Sequence, residues 1–139
     1  MTMGSLGKKK LSIFLPGLYG GGAERILLNL AEGFLNRGVL VDIVLAQNEG
    51  AFAKQIPYKA NLVALRDSMR NSHRTITALP ALVRYLKREH PDVLLTALHG
   101  NIIAVWAKLL SGTHTKLVLS EHNTFSMITQ NMPAWSKWL

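Results

Sequence analysis

Three short segments of the chain carry the groups that could do chemistry. The first is the glycine run Gly20-Gly21-Gly22, which Glu24 and Arg25 follow closely. Glycine lets a ligand approach the backbone, and unpaired amides at the start of a helix attract anionic oxygen. We therefore expect this segment to bind phosphate, with Arg25 meeting the anion. The alternative is that Glu24 is a capping carboxylate and Arg25 a solvated cation.

The other two segments offer imidazole, amide and carboxylate groups. One contains His99 and Asn101, and the other contains Glu121, His122 and Asn123. We expect all five to be functional, and His122 in particular, because polar residues rather than core residues flank it. The alternatives are that His99 and Asn101 cap a helix and that Glu121 forms a structural ion pair.

Each of these segments follows an apolar run that predicts a buried strand. The runs at residues 11–15, 93–97 and 117–120 precede the three segments, and residues 40–46 and 62–65 predict two further strands. The carboxyl ends of parallel strands lie at one edge of a sheet, where ligands of such sheets bind. The glycine run, His99 and His122 should therefore face one crevice.

Helical patterns separate most of these strands. The first helix begins after the glycine run and ends at Gly38. The second begins near residue 75 or 77, with Pro80 in its first turn, and the third spans residues 101–110. Strands that alternate with helices predict an α/β fold, with a parallel sheet covered by helices on both faces. Residues 1–10 are expected to be a flexible lead-in, residues 11–139 one domain, and residues 47–59 a polar loop.

Composition narrows the class of protein. The 139 residues carry a formal net charge of +8 and no cysteine, and the apolar runs are too short to span a membrane. We expect a cytoplasmic protein with anionic partners and no metal site, and an anionic inner membrane surface is a candidate partner through Arg84, Lys87 and Arg88. Nucleic acid is not expected as a partner, because the basic residues are not interleaved with aromatic ones.

Known nucleotide-binding and hydrolase motifs do not fit. The glycine run lacks the last glycine of G-x-G-x-x-G, there is no G-x-x-x-x-G-K-[ST], and there is no G-x-S-x-G elbow. These absences make a nicotinamide enzyme, a P-loop enzyme and an α/β-hydrolase poor interpretations.

The chain resembles the N-terminal half of the retaining family-four glycosyltransferases, which have the GT-B fold. The resemblance rests on Gly20-Gly21-Gly22-Ala23-Glu24-Arg25 after the first strand, on His90-Pro91-Asp92-Val93-Leu94, and on Leu119-Ser120-Glu121-His122-Asn123, and it covers roughly residues 8–139. It implies a Rossmann-like acceptor-side domain, truncated before a C-terminal donor domain that carries an E-x7-E motif.

The resemblance also implies an activity: transfer of a hexose from a nucleotide-sugar such as UDP- or GDP-hexose to a glycan or lipid-linked acceptor, with no cofactor. By the same resemblance, the amides of Gly21 and Gly22 would approach the donor diphosphate or an acceptor phosphate, and His122 would be the catalytic residue that orients the donor sugar and stabilises its positive charge. The chain alone should not turn over, since the cations that bind the leaving diphosphate belong to the other domain. Two alternatives remain: a non-catalytic module that binds a phosphorylated ligand, and nonspecific association with nucleic acid.

Overall fold

A computed structural model describes residues 7–65 and 75–121 of the chain. It contains five strands, which are β1 (Lys10–Leu15), β2 (Leu40–Leu45), β3 (Asn61–Ala64), β4 (Val93–Ala97) and β5 (Lys116–Ser120). Its α-helices are α1 (Gly22–Asn36), α2 (Leu79–Glu89) and α3 (Gly100–Ser111). Two short 3-10 helical turns, Ala51–Gln55 and Thr75–Ala78, lie before β3 and α2.

The five strands form one parallel sheet in the order β3-β2-β1-β4-β5. The central strand β1 pairs on both sides, so that Ile13 lies opposite Ile43 in β2 and Leu95 in β4. The chain runs from β1 toward β2 and β3 and then returns to the other side of β1 for β4 and β5. The order therefore reverses between β1 and β4.

Helices cover both faces of this sheet. On one face α1 buries Leu27, Leu28 and Ala31 against the strands. On the other face α2 and α3 pack side by side and bury Leu82 and Ala104 against the opposite side of the same strands. The predicted α/β fold, a Rossmann-like parallel sheet with helices on both faces, is confirmed.

Local signals in the sequence set the helix ends. Gly38 adopts φ +80° just after α1, and its amide donates to the carbonyl of Leu35, as expected of a glycine that ends a helix. Pro80 lies in the first turn of α2, where its missing N–H costs no intrahelical bond. His90 ends the same helix in the left-handed conformation.

A buried polar cluster joins α2 to the amino-terminal half of the sheet. The Tyr85 hydroxyl donates to Asp42 Oδ2 at 2.5 Å and accepts from the Ser12 hydroxyl at 2.6 Å. Lys10 Nζ lies 3.0 Å from the same Asp42 oxygen and 2.8 Å from Glu89 Oε2. Burial raises the pKa of Tyr85, and the hydrogen bond to Asp42 raises it further, so the phenol stays protonated.

Two expectations about local structure need correction. Lys10, assigned to the flexible lead-in, is the first residue of β1 and is held by the Asp42 and Glu89 carboxylates; residues 1–6 of that lead-in lie outside the described residues. Residues 47–59 are not simply a polar loop, since Phe52 and Ile56 pack against the core. In the described parts of the chain, no helix is both long and apolar enough to cross a membrane.

Candidate functional site

The fold brings two of the three predicted segments, and the first residue of the third, to the carboxyl edge of the sheet. The glycine run follows β1 and His99 follows β4, and these two strands are neighbours at the point where the strand order reverses. Parallel α/β sheets bind their ligands in the crevice at this point. Glu121, the first residue after β5, lies at the same edge beside β4.

The glycine run forms a tight turn whose amides are partly occupied. Gly20 adopts φ +113°, a conformation that favours glycine, and Gly21 is the N-cap of α1. Glu24 Oε2 accepts hydrogen bonds from the amides of Gly20 at 2.7 Å and Gly21 at 3.0 Å, and Glu24 is only 5% exposed. The expectation that these two amides are bare is wrong, because Glu24 is the capping carboxylate of the alternative interpretation.

The first turn of α1 keeps other anion-attracting groups. The amides of Gly22 and Ala23 stand at the first two helical positions, where no carbonyl one turn earlier can accept from them within the helix. Arg25 is exposed, and its guanidinium lies over the ring of Phe52, 5.4 Å from the ring centre. The positive end of the helix and Arg25 thus lie together at this corner of the edge.

The segment after β2 braces the glycine turn. The Leu18 amide donates to the Glu49 carbonyl at 2.9 Å, and the Phe52 amide donates back to the Leu18 carbonyl at 3.0 Å. A Cβ at Gly50 would lie 2.0 Å from the Leu18 carbonyl oxygen, and Gly50 has φ +126°. The prediction of a polar loop over residues 47–59 missed this role of Gly50, although the apolar Phe52 inside a polar stretch was a signal that the segment packs.

Tyr19 adds a side-chain contact to this brace. Its hydroxyl donates to Gln47 Oε1 at 3.0 Å. Burial raises the pKa of Tyr19, and the charges of Glu49 and Glu24 raise it further. Tyr19 therefore remains a neutral donor at physiological pH and holds the turn against the β2 segment.

The start of α3 is strained and tightly packed. Leu98 adopts φ +60°, a left-handed conformation that costs a branched side chain energy and that often marks functional sites. A Cβ on Gly100 would lie 2.6 Å from Thr96 Oγ1, so only glycine fits there. The buried Thr96 hydroxyl has no hydrogen-bond partner among the described residues. No signal in the sequence identified Leu98 or Thr96.

Asn101 is a buried polar residue of the site whose side chain is only partly hydrogen-bonded. It is only 7% exposed, and its Nδ2 donates to the Ser120 carbonyl at 3.2 Å and to Glu121 Oε1 at 2.7 Å. Both amide hydrogens are thus used, while Oδ1 has no donor within the described part of the chain. Such a buried unpaired oxygen costs stability unless a ligand or water satisfies it.

Asn101 and Glu121 line a cavity of about 210 Å³ together with Leu98, His99 and Ile102. The exposed Glu121 carboxylate and the unpaired Asn101 Oδ1 are both hydrogen-bond acceptors. A ligand that pairs with them must donate hydrogen bonds, as the hydroxyls of a sugar do. A phosphate offers oxygen acceptors and negative charge, so it fits these two groups poorly.

The predicted site residues thus fall into two groups. Gly20, Gly21, Gly22, Glu24 and Arg25 lie at the start of α1, and His99, Asn101 and Glu121 share the cavity at the start of α3. The predicted catalytic residue His122 and the predicted ligand contact Asn123 lie outside the described residues, as do residues 66–74.

Away from this site, the described residues form one larger cavity. A larger cavity of about 450 Å³ lies at the amino-terminal edge of the sheet, beside His90, His114 and Lys116, away from the crevice. In residues 7–65 and 75–121, no group of three or more His, Cys, Asp or Glu side chains is placed to hold a metal ion.

Comparison with known proteins decides the family. The model of Glycosyltransferase Family 4 matches residues 20–139, which is most of the chain and includes both groups of site residues. The chain belongs to glycosyltransferase family 4. A search of the curated proteins by sequence found no match.

Two solved structures share the fold of this family 4 chain. One is "lipopolysaccharide outer core galactosyltransferase WaaB apo form", with a TM-score of 0.58 and 17% identity over 85% of this chain. The other is a glycosyltransferase from Rickettsia africae ESF-5, with a TM-score of 0.61 and 18% identity over 94% of this chain. The chain spans about a third of each of these structures, 34% and 33% of their lengths.

Proposed function

We propose that this family 4 chain is the N-terminal, acceptor-side domain of a retaining glycosyltransferase. The complete enzyme transfers a hexose from a nucleotide-sugar, such as UDP- or GDP-hexose, to a glycan or lipid-linked acceptor. Family membership supports the transferase class. The acceptor-side role is supported by the cavity at the start of α3, which suits a ligand rich in hydroxyl groups.

The single observation that carries this proposal is the unpaired Asn101 Oδ1. Oδ1 is buried and has no donor among the described residues, so a sugar hydroxyl that donates to it once the Asn101 amide turns toward the cavity would satisfy that acceptor. A neighbouring hydroxyl of the same sugar can donate to the exposed Glu121 carboxylate. The hydrogen bond of 2.7 Å from Asn101 Nδ2 to Glu121 Oε1 fixes the two side chains relative to each other, so that their remaining acceptor oxygens select a pair of hydroxyls at a fixed spacing.

The donor side of the reaction involves the other group of residues. The diphosphate approaches the first-turn amides of Gly22 and Ala23 and the Arg25 cation, while Glu24 keeps the preceding turn rigid by holding Gly20 and Gly21. His122 orients the donor sugar and stabilises positive charge at its anomeric carbon. The leaving diphosphate gains charge as the anomeric C–O bond breaks, and the cations that stabilise it come from the C-terminal domain.

Two further features belong to the same proposal. The acceptor is a polysaccharide or lipopolysaccharide precursor, and the enzyme works in the cytoplasm, peripherally at the inner membrane face. The exposed Arg84, Lys87 and Arg88 of α2 and the formal charge of +8 support contact with an anionic surface. Isolated from the donor domain, this chain is expected to show no turnover.

Binding of neutral hexosides tests the proposal without requiring turnover. We expect methyl hexosides to bind the chain and Glu121→Gln to weaken that binding about tenfold, because a hydrogen bond to a charged group is lost. The amide oxygen of the substituted side chain would still accept from Asn101 Nδ2, so the fold is kept. The measurement is saturation-transfer NMR, with dissociation constants from a competition titration.

Glu32→Gln is the matched control, since Glu32 is exposed on α1, away from the cavity. It should leave hexoside affinity unchanged. The proposal is contradicted if inorganic diphosphate displaces the hexoside from wild type and Glu121→Gln strengthens diphosphate binding. That result would instead favour the alternative of a module for phosphorylated ligands.

A further inference from the structure

The larger cavity, at the amino-terminal edge of the sheet, has a basic lining. Its volume is about 450 Å³, and it lies beside the first residues of β1, β4 and β5, which are neighbouring strands. Among the described residues that line it there is one carboxylate, that of Asp92, and there are four basic side chains, those of Lys9, His90, His114 and Lys116. The volume is in the range of small-molecule sites, and the lining favours an anionic ligand.

The Asp92 carboxylate is already used at the start of the sheet. Its Oδ2 accepts from the Lys10 amide at 2.7 Å, and its Oδ1 lies 4.0 Å from Lys9 Nζ. The Asp92 backbone also joins the strands, because its amide donates to the Lys10 carbonyl at 3.0 Å and its carbonyl accepts from the Lys116 amide at 2.9 Å. Asp92 therefore offsets part of the charge of Lys9, and it offers no ion pair to Lys116.

His90 occupies a backbone position where the other helices have glycine. Just after α1 and α3 the left-handed residues are Gly38, at φ +80°, and Gly112, at φ +64°, whereas after α2 the left-handed residue is His90, at φ +43°. This conformation costs energy for a residue that has a Cβ, and residues held in it cluster at functional sites. The chain thus has an imidazole beside the cavity at a position where glycine is less strained.

The connection from α3 to β5 supplies the second imidazole and the second lysine. Thr113 and Thr115 are only 8% and 3% exposed, and the Thr113 hydroxyl donates to the Thr115 hydroxyl at 3.2 Å. His114 lies between these two anchored residues, Lys116 directly follows them, and both are exposed. The buried threonines therefore fix the backbone that carries His114 and Lys116 beside the cavity.

We propose that this cavity binds a small phosphate monoester. A monoester has a charge of about −2 near neutral pH and three oxygens that accept hydrogen bonds. The phosphoryl group accepts from Lys9, Lys116 and the two imidazoles, all of which donate. Pro91 and Val93 line the same cavity and offer apolar contact to the organic part of the ligand. This site goes beyond the proposed function and does not depend on it, because it lies at the other end of the strands from the crevice.

Chemical-shift mapping of the isotope-labelled full chain with methyl phosphate tests the site. We expect shifts concentrated at Lys9, His90, Asp92, His114 and Lys116. Dimethyl phosphate is singly charged, like the phosphodiester of a phospholipid headgroup, so we expect it to bind about tenfold more weakly. Equal affinity for the two probes would overturn the proposal, as would shifts with methyl phosphate that are confined to the first turn of α1.

A matched pair of double variants separates this cavity from net charge. Lys9→Gln with Lys116→Gln should weaken methyl phosphate binding about tenfold, because two charged donors are lost. Lys54→Gln with Lys59→Gln removes the same charge at exposed positions outside the cavity, and it should weaken binding less than about twofold. Equal weakening in the two double variants would contradict a site in this cavity.

Two single variants test the site without threatening the fold. In Asp92→Asn the amide oxygen still accepts from the Lys10 amide, and the loss of negative charge should strengthen methyl phosphate binding about threefold. His90→Gly relieves the left-handed strain, so the midpoint of thermal unfolding should not fall, while affinity for methyl phosphate should fall about threefold. Affinities that stay at the wild-type value in both variants would remove Asp92 and His90 from the site and overturn the proposal.

Sulfate tests the imidazoles, because its charge does not change over the pH range in which histidine titrates. We expect sulfate to bind about tenfold more tightly at about pH 5.5 than at about pH 8, and His90→Gln with His114→Gln to abolish this difference. Glu89, at the end of α2, is already paired with Lys10 and Arg88. The other charged groups that line the cavity keep their charge over this range; they are Lys9, Asp92 and Lys116. The same pH dependence in the double variant and in wild type would overturn the proposal.

Discussion

At the scale of the residue, Glu24 shows how one side chain can decide what a motif does. The glycine run looks like a cradle for phosphate, yet the Glu24 carboxylate already accepts from the amides of Gly20 and Gly21. The run is therefore first a rigid helix start, and the amides that lack an acceptor within the helix are the following ones of α1. Among the described residues, an acceptor oxygen without a partner belongs to Asn101 at the start of α3, and the Glu121 carboxylate after β5 lies beside it.

The capping role of Glu24 makes a prediction about stability. Glu24→Ala should lower the free energy of unfolding by about 1.5–3 kcal/mol, since two amides lose hydrogen bonds to a charged, buried acceptor. Glu32→Ala, at an exposed position of the same helix, should change it by less than about 0.5 kcal/mol. Urea unfolding of both variants measures the difference, and equal values would show that Glu24 does not support the turn.

Single residues also show what sequence reasoning could reach. The capping alternative for Glu24 followed from its place three residues after the N-cap, a local relation that the sequence displays. The strain at Leu98 and the unpaired oxygen of Asn101 depend on how β4, α3 and β5 pack together. No local pattern encodes such packing, so these features appeared only in three dimensions.

At the scale of the element, the segment after β2 acts as a brace for the glycine turn. Gly50 lets its backbone pass close to the Leu18 carbonyl, where any side chain would collide. Gly50→Ala should therefore destabilise the protein by about 2 kcal/mol or more. Gly33→Ala is the control: Gly33 lies inside α1 with open space around it, and the change should stabilise by about 0.5–1 kcal/mol. Thermal unfolding that shifts both variants in the same direction would contradict this account.

A second feature at the scale of the element is the buried hydrogen bonding of Tyr85, which attaches α2 to the sheet. Tyr85→Phe removes the hydroxyl that bridges Ser12 and the buried Asp42, and should cost about 1–3 kcal/mol of unfolding free energy. Tyr58→Phe, at an exposed position, should be neutral. Chemical denaturation distinguishes the two, and a neutral Tyr85→Phe would show that the bridge does not hold the helix.

The boundaries of elements were largely predictable, for physical reasons that are local. Gly38 and Pro80 mark a helix end and a helix start through their own backbone restrictions. The packing of Phe52 beneath Arg25 was not predictable, because it depends on how closely the start of α1 and the 3-10 turn Ala51–Gln55 approach each other. Sequence therefore anticipated the sheet and its helices better than the contacts between loops at its carboxyl edge.

At the scale of the whole molecule, ion pairs between elements influence how the free energy of unfolding changes at acidic pH. The hydrogen bond from Lys10, and then that from Arg88, lowers the pKa of Glu89 below its ordinary value of 4.5. The unfolded chain thus takes up this proton at a higher pH than the folded chain does. The stabilisation is fully present above about pH 4.5 and is lost as the pH falls through the lowered pKa.

Glu89→Gln should make the free energy of unfolding depend less on pH in the acidic range. We expect the free energy of unfolding of this variant to fall less than that of wild type as the pH is lowered below 4.5. Glu32→Gln, at an exposed site, should follow wild type. Denaturation curves at a series of pH values provide the measurement, and parallel curves for Glu89→Gln and wild type would contradict the assigned role of the pair.

The central claim concerns the whole edge of the sheet: this family 4 domain binds hydroxyl groups of an acceptor sugar at the start of α3. The most direct measurement is amide chemical-shift mapping of the isotope-labelled chain during titration with a methyl hexoside. The account predicts shifts concentrated at Gly100, Asn101, Ile102 and Glu121. Shifts that leave these residues unchanged, or that appear there with inorganic diphosphate instead of the hexoside, would contradict it.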